Sequence, residues 1–431
     1  MKRRDFLRYT IPSVVIPSLI NRFSLRALGA LSGPMHGLGG LEESDHVLVL
    51  VQLNGGNDGL NTVIPLEFYD AYLAARPNIA IPQNKILTLN GYDKTGLNPA
   101  MPELRQLFND GKLTIVQGVS YPQPNFSHFR ATDIWLTGAD TGQLLSTGWA
   151  GRYLHDQYPS FPQDYPNPLM PDPLAIQVGS LLSPALQGPA LPMGMAISNP
   201  NNFYDLINDK TGAVANTRAG DQLAYIREMS IKTDQYAGVI KTAAQKVTKQ
   251  SDKYPAAGKN PLADQLKIVA RLVAGGLKTK VYIVSMGGFD THAKQTDATD
   301  TTTGNHAKLL AKLSEAIGAF QDDLHYLQVE DRVMGMTFSE FGRRIKSNAS
   351  GGTDHGAAAP VFIFGARTQS GILGNNPTIP SNPTVNDNIA LQYDFRALYA
   401  SFLEKWWNKD PEQTAAILLR NYPVLSVVKE A

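Results

Sequence analysis

The sequence predicts an α/β fold with a mostly parallel central sheet and helices on both faces. Short runs of β-branched and leucine residues recur along it, segments of helical periodicity separate several of them, and Gly-rich turns follow some of them. Alternating buried strands and amphipathic helices form a parallel sheet covered on both sides. With 431 residues, 43% apolar and 18% charged, the chain is globular and exceeds what one small core serves.

In chain order, MKRRDFLRYT and the short apolar run IPSVVIPSLI have a signal-peptide layout. Arg3 and Arg4, with Phe6, Leu7 and Arg8, resemble the twin-arginine export signal. Residues 1–30 are therefore expected to be a signal peptide read by the twin-arginine export machinery, with cleavage near Gly29 or Ala30. Residues 31–44 are a Gly-rich linker, and 45–431 a single α/β domain with a helical insertion near 215–260. No later segment reaches the roughly 18 consecutive apolar residues of a membrane span. The mature protein is thus expected in the periplasm or outside the cell, with no stable membrane span.

His46 to Leu53 is a β-branched and leucine run, the pattern of a strand buried on both faces, and it ends at Asn54-Gly55-Gly56. Lys112 to Val116, Leu174 to Val178, Val281 to Ser285, Val333 to Phe338 and Val361 to Phe364 read alike. Leu262, Leu266, Val269 and Leu272 keep one helical stripe leading into the strand at Val281. Asp394 caps an amphipathic helix carrying Phe395, Leu398, Phe402, Leu403 and Trp406. Residues 156–173 and 370–388, rich in Pro and turn formers, read as surface loops.

Composition narrows the chemistry. Lys+Arg 39 against Asp+Glu 38 lacks the basic excess that nucleic-acid binding needs. With Cys 0 there is no disulfide, thiolate nucleophile, Cys-ligated zinc or iron–sulfur cluster. Any metal must use His, Asp, Glu or hydroxyl ligands.

In a parallel sheet the carboxyl ends of the strands share one edge, so residues just after each strand converge. Asp58 lies in the Gly-rich turn after the first strand. Asp290 and His292 follow the strand at 281, and an Asp-x-His pair suits Zn, Mn or Fe. Glu340 follows the strand at 333 with Arg343 and Arg344 close by, and Asp354-His355 precedes the strand at 361 in a Gly-rich setting. Asp58, Asp290, His292, Glu340, Asp354 and His355 are thus candidate ligands for one or two divalent metal ions (Zn, Mn, Fe or Ca). A third histidine stands in Asn125-Phe126-Ser127-His128-Phe129. Ser127, where a loop meets the start of a helix, is the candidate nucleophile, with a plain helix cap as the structural alternative.

Gly55-Gly56-Asn57-Asp58-Gly59-Leu60-Asn61, Ser127-His128-Phe129, Thr147-Gly148-Trp149 through Gly151-Arg152, Gly287 to His292, Ser339 to Arg343 and Gly352 to Gly356 together resemble the exported bacterial family catalogued as domain of unknown function 1501. That family is similar in fold to the alkaline phosphatase and sulfatase superfamily, so the resemblance implies a metal-dependent hydrolase of phosphate or sulfate esters, acting on a small-molecule or glycan ester. By order along the chain it implies Asp58, Ser127, Asp290 with His292, Glu340 and His355 as the matching site positions. The superfamily's Asp-His at the later strand is replaced by Glu340-Phe341, and no Ser-x-Pro-x-Arg segment is present. These departures imply a reduced site and exclude a formylglycine sulfatase. The expected function is an exported hydrolase in which Arg343 or Arg130 counters developing negative charge. The alternative is a non-catalytic periplasmic or cell-surface protein that binds a glycan or a protein partner.

Overall fold

A computed structural model of the protein describes residues 44–198 and 234–429. The signal-peptide and linker expectations, and most of the insertion expected near 215–260, lie outside the described residues. Of that insertion, residues 234–246 are helical, and Ile240, Ala243 and Ala244 are packed into the core. The described residues belong to one compact unit.

Its centre is a nine-stranded sheet. The strands are β1 (Val47–Asn54), β2 (Leu113–Ser120), β3 (Ala175–Val178), β4 (Met195–Ile197), β5 (Val281–Gly287), β6 (Val333–Phe338), β7 (Ala359–Phe364), β8 (Gly371–Leu373) and β9 (Tyr393–Asp394). Their order is β8-β2-β7-β6-β1-β5-β3-β4, with β9 also paired to β2. Every pairing is parallel except those of β7, which runs antiparallel to both β2 and β6. The mostly parallel α/β class read from the sequence is the one observed. One local expectation is corrected: part of the 370–388 segment is β8, an edge strand, because Gly371 to Leu373 pair in register with Thr114 to Val116.

The first strand shows why an unbroken apolar run was needed. Val47, Val49, Val51 and Leu53 enter the core on one face, with helices Pro102–Asn109 (α1), Pro261–Ala274 and Asn305–Tyr326. Leu48 and Leu50 enter the core on the other, with helices His128–Thr137 (α2), Trp149–Gln157 (α3) and Phe395–Ser401. Successive side chains point to opposite faces, so the fully covered stretch Val47 to Val51 is apolar throughout, and polar Gln52 and Asn54 appear only where the strand is partly exposed. The expected stripe on the helix before β5 is also present, with Leu262, Leu266, Val269 and Leu272 all buried. Asp394 accepts from the Arg396 backbone N–H and caps the helix beginning at Phe395.

This topology fixes one functional edge. β1, β5 and β6 run side by side, with Asn54 opposite Gly287 and Gln52 opposite Phe338. β2 points the same way across β7, and antiparallel β7 starts where the others end. The loops after β1, β2, β5 and β6 therefore meet the hairpin leading into β7, formed by Arg343–Ser347 and Thr353–His355.

Candidate metal centre

Three segments deliver the converging groups. Asp290 and His292 follow β5, His128 is the first residue of α2 after β2, and His355 ends the hairpin strand before β7. His292 Nε2 lies 2.9 Å from His355 Nε2. Asp290 Oδ1 is 3.2 Å from each of those nitrogens, and Asp290 Oδ2 is 3.5 Å from His128 Nε2. His128, Asp290 and His355 each offer a ligand atom within 4.8 Å of the others. A divalent ion with ligand bonds of about 2.0–2.2 Å sets tetrahedral neighbours roughly 3.3–3.6 Å apart; the 3.5 Å separation lies in that range and the 2.9 and 3.2 Å ones are shorter.

The opposite nitrogen of each ring is anchored. Nδ1 of His128 lies 2.7 Å from Glu340 Oε1, Nδ1 of His292 lies 3.0 Å from Asp354 Oδ1, and Nδ1 of His355 lies 2.8 Å from the Phe126 carbonyl oxygen. Carboxylate and carbonyl oxygens accept, so each Nδ1 has a partner to donate to, and a ring protonated only there turns an Nε2 lone pair toward Asp290. The rings also pack: His355 lies 4.5 Å from His128 and 4.5 Å from Phe341, centroid to centroid.

Glu340 is buried, and its Oε1 also accepts from the Gly55 N–H at 2.9 Å. Arg343 is wholly buried under the cluster. It donates from Nε to Gly56 O at 2.7 Å, from Nη1 to Thr353 O at 2.7 Å, and from Nη2 to Asp290 Oδ1 at 2.7 Å, with Phe289 O and Gly55 O as further acceptors. It thus ties three loops together from below. Gly55 makes the tight approach feasible: at φ +125° a Cβ there would stand 2.3 Å from the Asp290 backbone nitrogen.

Electrostatics follow from these contacts. Burial works to raise the Asp290 carboxyl, but hydrogen bonds from Arg343 and His355 outweigh it and hold the group below the usual carboxylate range. Asp354 is likewise lowered against its burial, by His292 and Asn348. His355 is lowered, first by burial and then by the charges of Arg343 and His128, against its bonds to Phe126 and Asp290. A lowered imidazole favours the neutral form that a metal requires.

The other sequence-predicted residues offer no ligand atom to this cluster. Asp58 is wholly buried, and both its oxygens accept from Arg76, at 2.9 and 2.7 Å, while Oδ2 also accepts from Gln295. Burial would raise its carboxyl, yet Arg76 and His306 hold it low. Ser127 is exposed at the N-cap of α2 without bonding a helix N–H through its side chain. Arg343 has no solvent-facing surface, and Arg130 donates to Asp133 and to the carbonyls of Asp140, Thr141 and Gln143. Of the six carboxylates and imidazoles expected to gather, Asp290, His292 and His355 converge directly, Glu340 and Asp354 stand behind rings, and Asp58 lies elsewhere. His128 was missing from that ligand set. The carboxyl-edge rule, applied to the strand at 112 as to the others, would have found it.

The family described as "Protein of unknown function (DUF1501)" matches residues 200–418, more than half of the 431-residue chain. The chain belongs to that family. In this DUF1501 member, Asp290, His292, Glu340, Arg343, Asp354 and His355 lie within the matched stretch, and Asp58, Ser127 and His128 precede it. Similar solved structures include the C-terminal periplasmic domain of EcEptC from Escherichia coli in complex with Zn, 12% identical over 75% of this chain and 74% of that one, with a TM-score of 0.34. A protein in the alkaline phosphatase superfamily from Vibrio parahaemolyticus is 11% identical over 78% of this chain and 63% of its own, with a TM-score of 0.33. The lipoteichoic acid synthase LtaP from Listeria monocytogenes is 10% identical over 79% and 67%, with a TM-score of 0.31. No curated protein matches the chain. Among the described residues, no helix is long and apolar enough to cross a membrane.

Behind the turn that follows β1, His306 is buried with Nε2 2.9 Å from Asn57 Oδ1. Burial, aided by Arg343 and Arg76 and opposed by Asp58, lowers its pKa from 6.5 to about 4. Unfolding restores the ordinary value, so between these two pH values the unfolded state binds the extra proton. The stability held above pH 6.5 is therefore expected to fall by about 3 kcal/mol as pH drops toward 4. Denaturant titrations at stepped pH, with H306Q as the reference, check this: an H306Q profile as steep as wild type assigns the loss to other groups.

Proposed function

We propose that this protein is an exported, metal-dependent hydrolase of phosphate or sulfate esters, with His128, Asp290, His292 and His355 as the metal-binding residues. One observation supports the metal above all. Three imidazoles whose Nδ1 atoms face acceptors turn their Nε2 atoms onto one carboxylate. With the rings neutral and protonated at Nδ1, the lone pairs and the carboxylate repel one another, and a cation among them relieves that repulsion. Nitrogen-rich donors suit Zn, Mn or Fe, whereas Ca takes oxygen ligands. Such an ion, when bound, supplies Lewis acidity toward an ester oxygen.

The chain's own groups have distinct parts in this reading. Glu340, Asp354 and the Phe126 carbonyl orient the rings, and Arg343 holds Asp290. Asp58, paired with Arg76, supports the turn after β1. Ser127, exposed beside His128 in sequence and with its hydroxyl not used as a cap, takes the nucleophile's place at the start of α2. Export by the twin-arginine route to the periplasm or beyond belongs to the same proposal and rests on Arg3, Arg4 and the apolar run after them.

A second reading, a non-catalytic glycan- or protein-binding protein, is favoured by one fact. Arg343 and Arg130, the guanidinium groups suited to countering negative charge, both donate to protein acceptors. Elemental analysis of chelator-free protein recovered after export, with vanadate-sensitive hydrolysis of aryl phosphate and sulfate esters, separates the two. Near-stoichiometric transition metal with hydrolysis is the expected result. Absence of metal after attempted reloading would sink the enzyme reading, and glycan binding by that metal-free protein would support the second.

A further inference from the structure

We infer that Glu340 is a positioning residue for His128 and not itself a metal ligand, and that it ties the start of α2 to the ends of β1 and β6. The inference rests on the metal reading above and assigns one of its residues. His128 is the ligand most separately held: it begins α2, whereas Asp290, His292 and His355 lie on segments joined by backbone hydrogen bonds. The Thr353 N–H donates to Thr291 O at 3.2 Å, the Gln295 N–H to Gly351 O at 2.8 Å and the Lys294 N–H to Ser350 O at 3.1 Å. His128's polar side-chain contacts are Glu340 Oε1 at 2.7 Å and Asp290 Oδ2 at 3.5 Å.

Glu340 is built for this task. Its side chain is 3% exposed, its Oε1 receives both the Gly55 N–H and the His128 ring, and its Oε2 lies 3.3 Å from Ser339 Oγ. Ser339 Oγ in turn donates to Leu53 O at 2.6 Å and accepts from the Asn57 N–H at 3.0 Å. The carboxylate is therefore held at the ends of β1 and β6, two central strands, and fixes the ring by accepting from Nδ1. With Nδ1 protonated, the Nε2 lone pair must face Asp290.

The test uses the full mature chain labelled with ¹⁵N-histidine, with Zn²⁺ as probe and H128A to assign the His128 signals. In metal-free wild type and E340Q, whose amide oxygen can still accept, His128 is expected to carry its proton on Nδ1. Zn²⁺ affinity in E340Q should stay within a few-fold of wild type. In E340L the proton should leave Nδ1, and Zn²⁺ affinity by chelator competition should fall about 10–100-fold. If E340L does not fold, E340D, which keeps the acid and loses the reach, is expected to show the same loss. Unchanged tautomer and affinity in E340L or E340D would overturn the role. Equal losses in E340Q and E340L would overturn it in favour of direct ligation. Wild type that binds no Zn²⁺ would remove the metal reading, while the metal-free tautomers would still decide whether Glu340 sets His128.

Discussion

Replacing Arg343 with methionine is expected to cost at least about 3 kcal/mol of folding stability, since each buried carbonyl left without its donor costs about 1–3 kcal/mol. The cause is the number of acceptors left behind. Gly55, Gly56, Phe289 and Thr353 would all lose a donor to their carbonyl oxygens, and Asp290 its guanidinium. A buried acceptor stripped of its partner keeps its desolvation penalty. R343K should recover only part of the loss, because an ammonium offers three donors on a flexible stem and cannot span three loops as a planar fork does. Denaturant midpoints measure both. Stability within 1 kcal/mol of wild type for R343M would show that the loops hold themselves, and Arg343 would then return as a candidate for direct substrate contact.

The second large effect concerns binding. His355 sits in the middle of the cluster, meeting Asp290 and His292 through Nε2 and His128 and Phe341 through its ring. H355A is expected to reduce divalent-metal affinity by at least a factor of about 100, more than loss of an orienting partner costs. The fold should persist, because the ring is only half-buried. D58N is the informative contrast. Asp58 pairs with Arg76 away from the cluster, so D58N should lower folding stability, yet folded D58N should keep metal at wild-type stoichiometry. Elemental analysis beside a denaturant titration reads both quantities. Loss of metal in folded D58N would restore Asp58 to the ligand set, and full occupancy in H355A would remove the centre.

Much of the scaffold was legible along the chain, and the physical reason is local. A stretch of strand buried on both faces takes apolar residues at every position, so Val47 to Val51 declared itself without any knowledge of its neighbours. Asp290 and His292 were legible for a related reason. They stand directly after such a strand, and a parallel sheet gathers the residues at its carboxyl edge.

The division of labour among the gathered residues was not legible. Asp58, Glu340 and Asp354 are carboxylates in comparable acidic turns, and nothing local distinguishes a ligand from a group that orients one. The difference lies in which distant donor reaches each of them: Arg76 and Gln295 for Asp58, His128 and Gly55 for Glu340, His292 and Asn348 for Asp354. Arg343 likewise reads as a free cation beside an acid until the fold shows it enclosed. His128 entered the centre only because β7 runs antiparallel between β2 and β6, bringing the loop after β2 to the edge where β1, β5 and β6 end. The sequence by itself therefore determined the layers of the fold, the family and the edge where chemistry gathers, since each follows from short-range pattern. Only the tertiary structure decided which side chains face one another there and which lie enclosed beneath, since burial and pairing depend on residues hundreds of positions away.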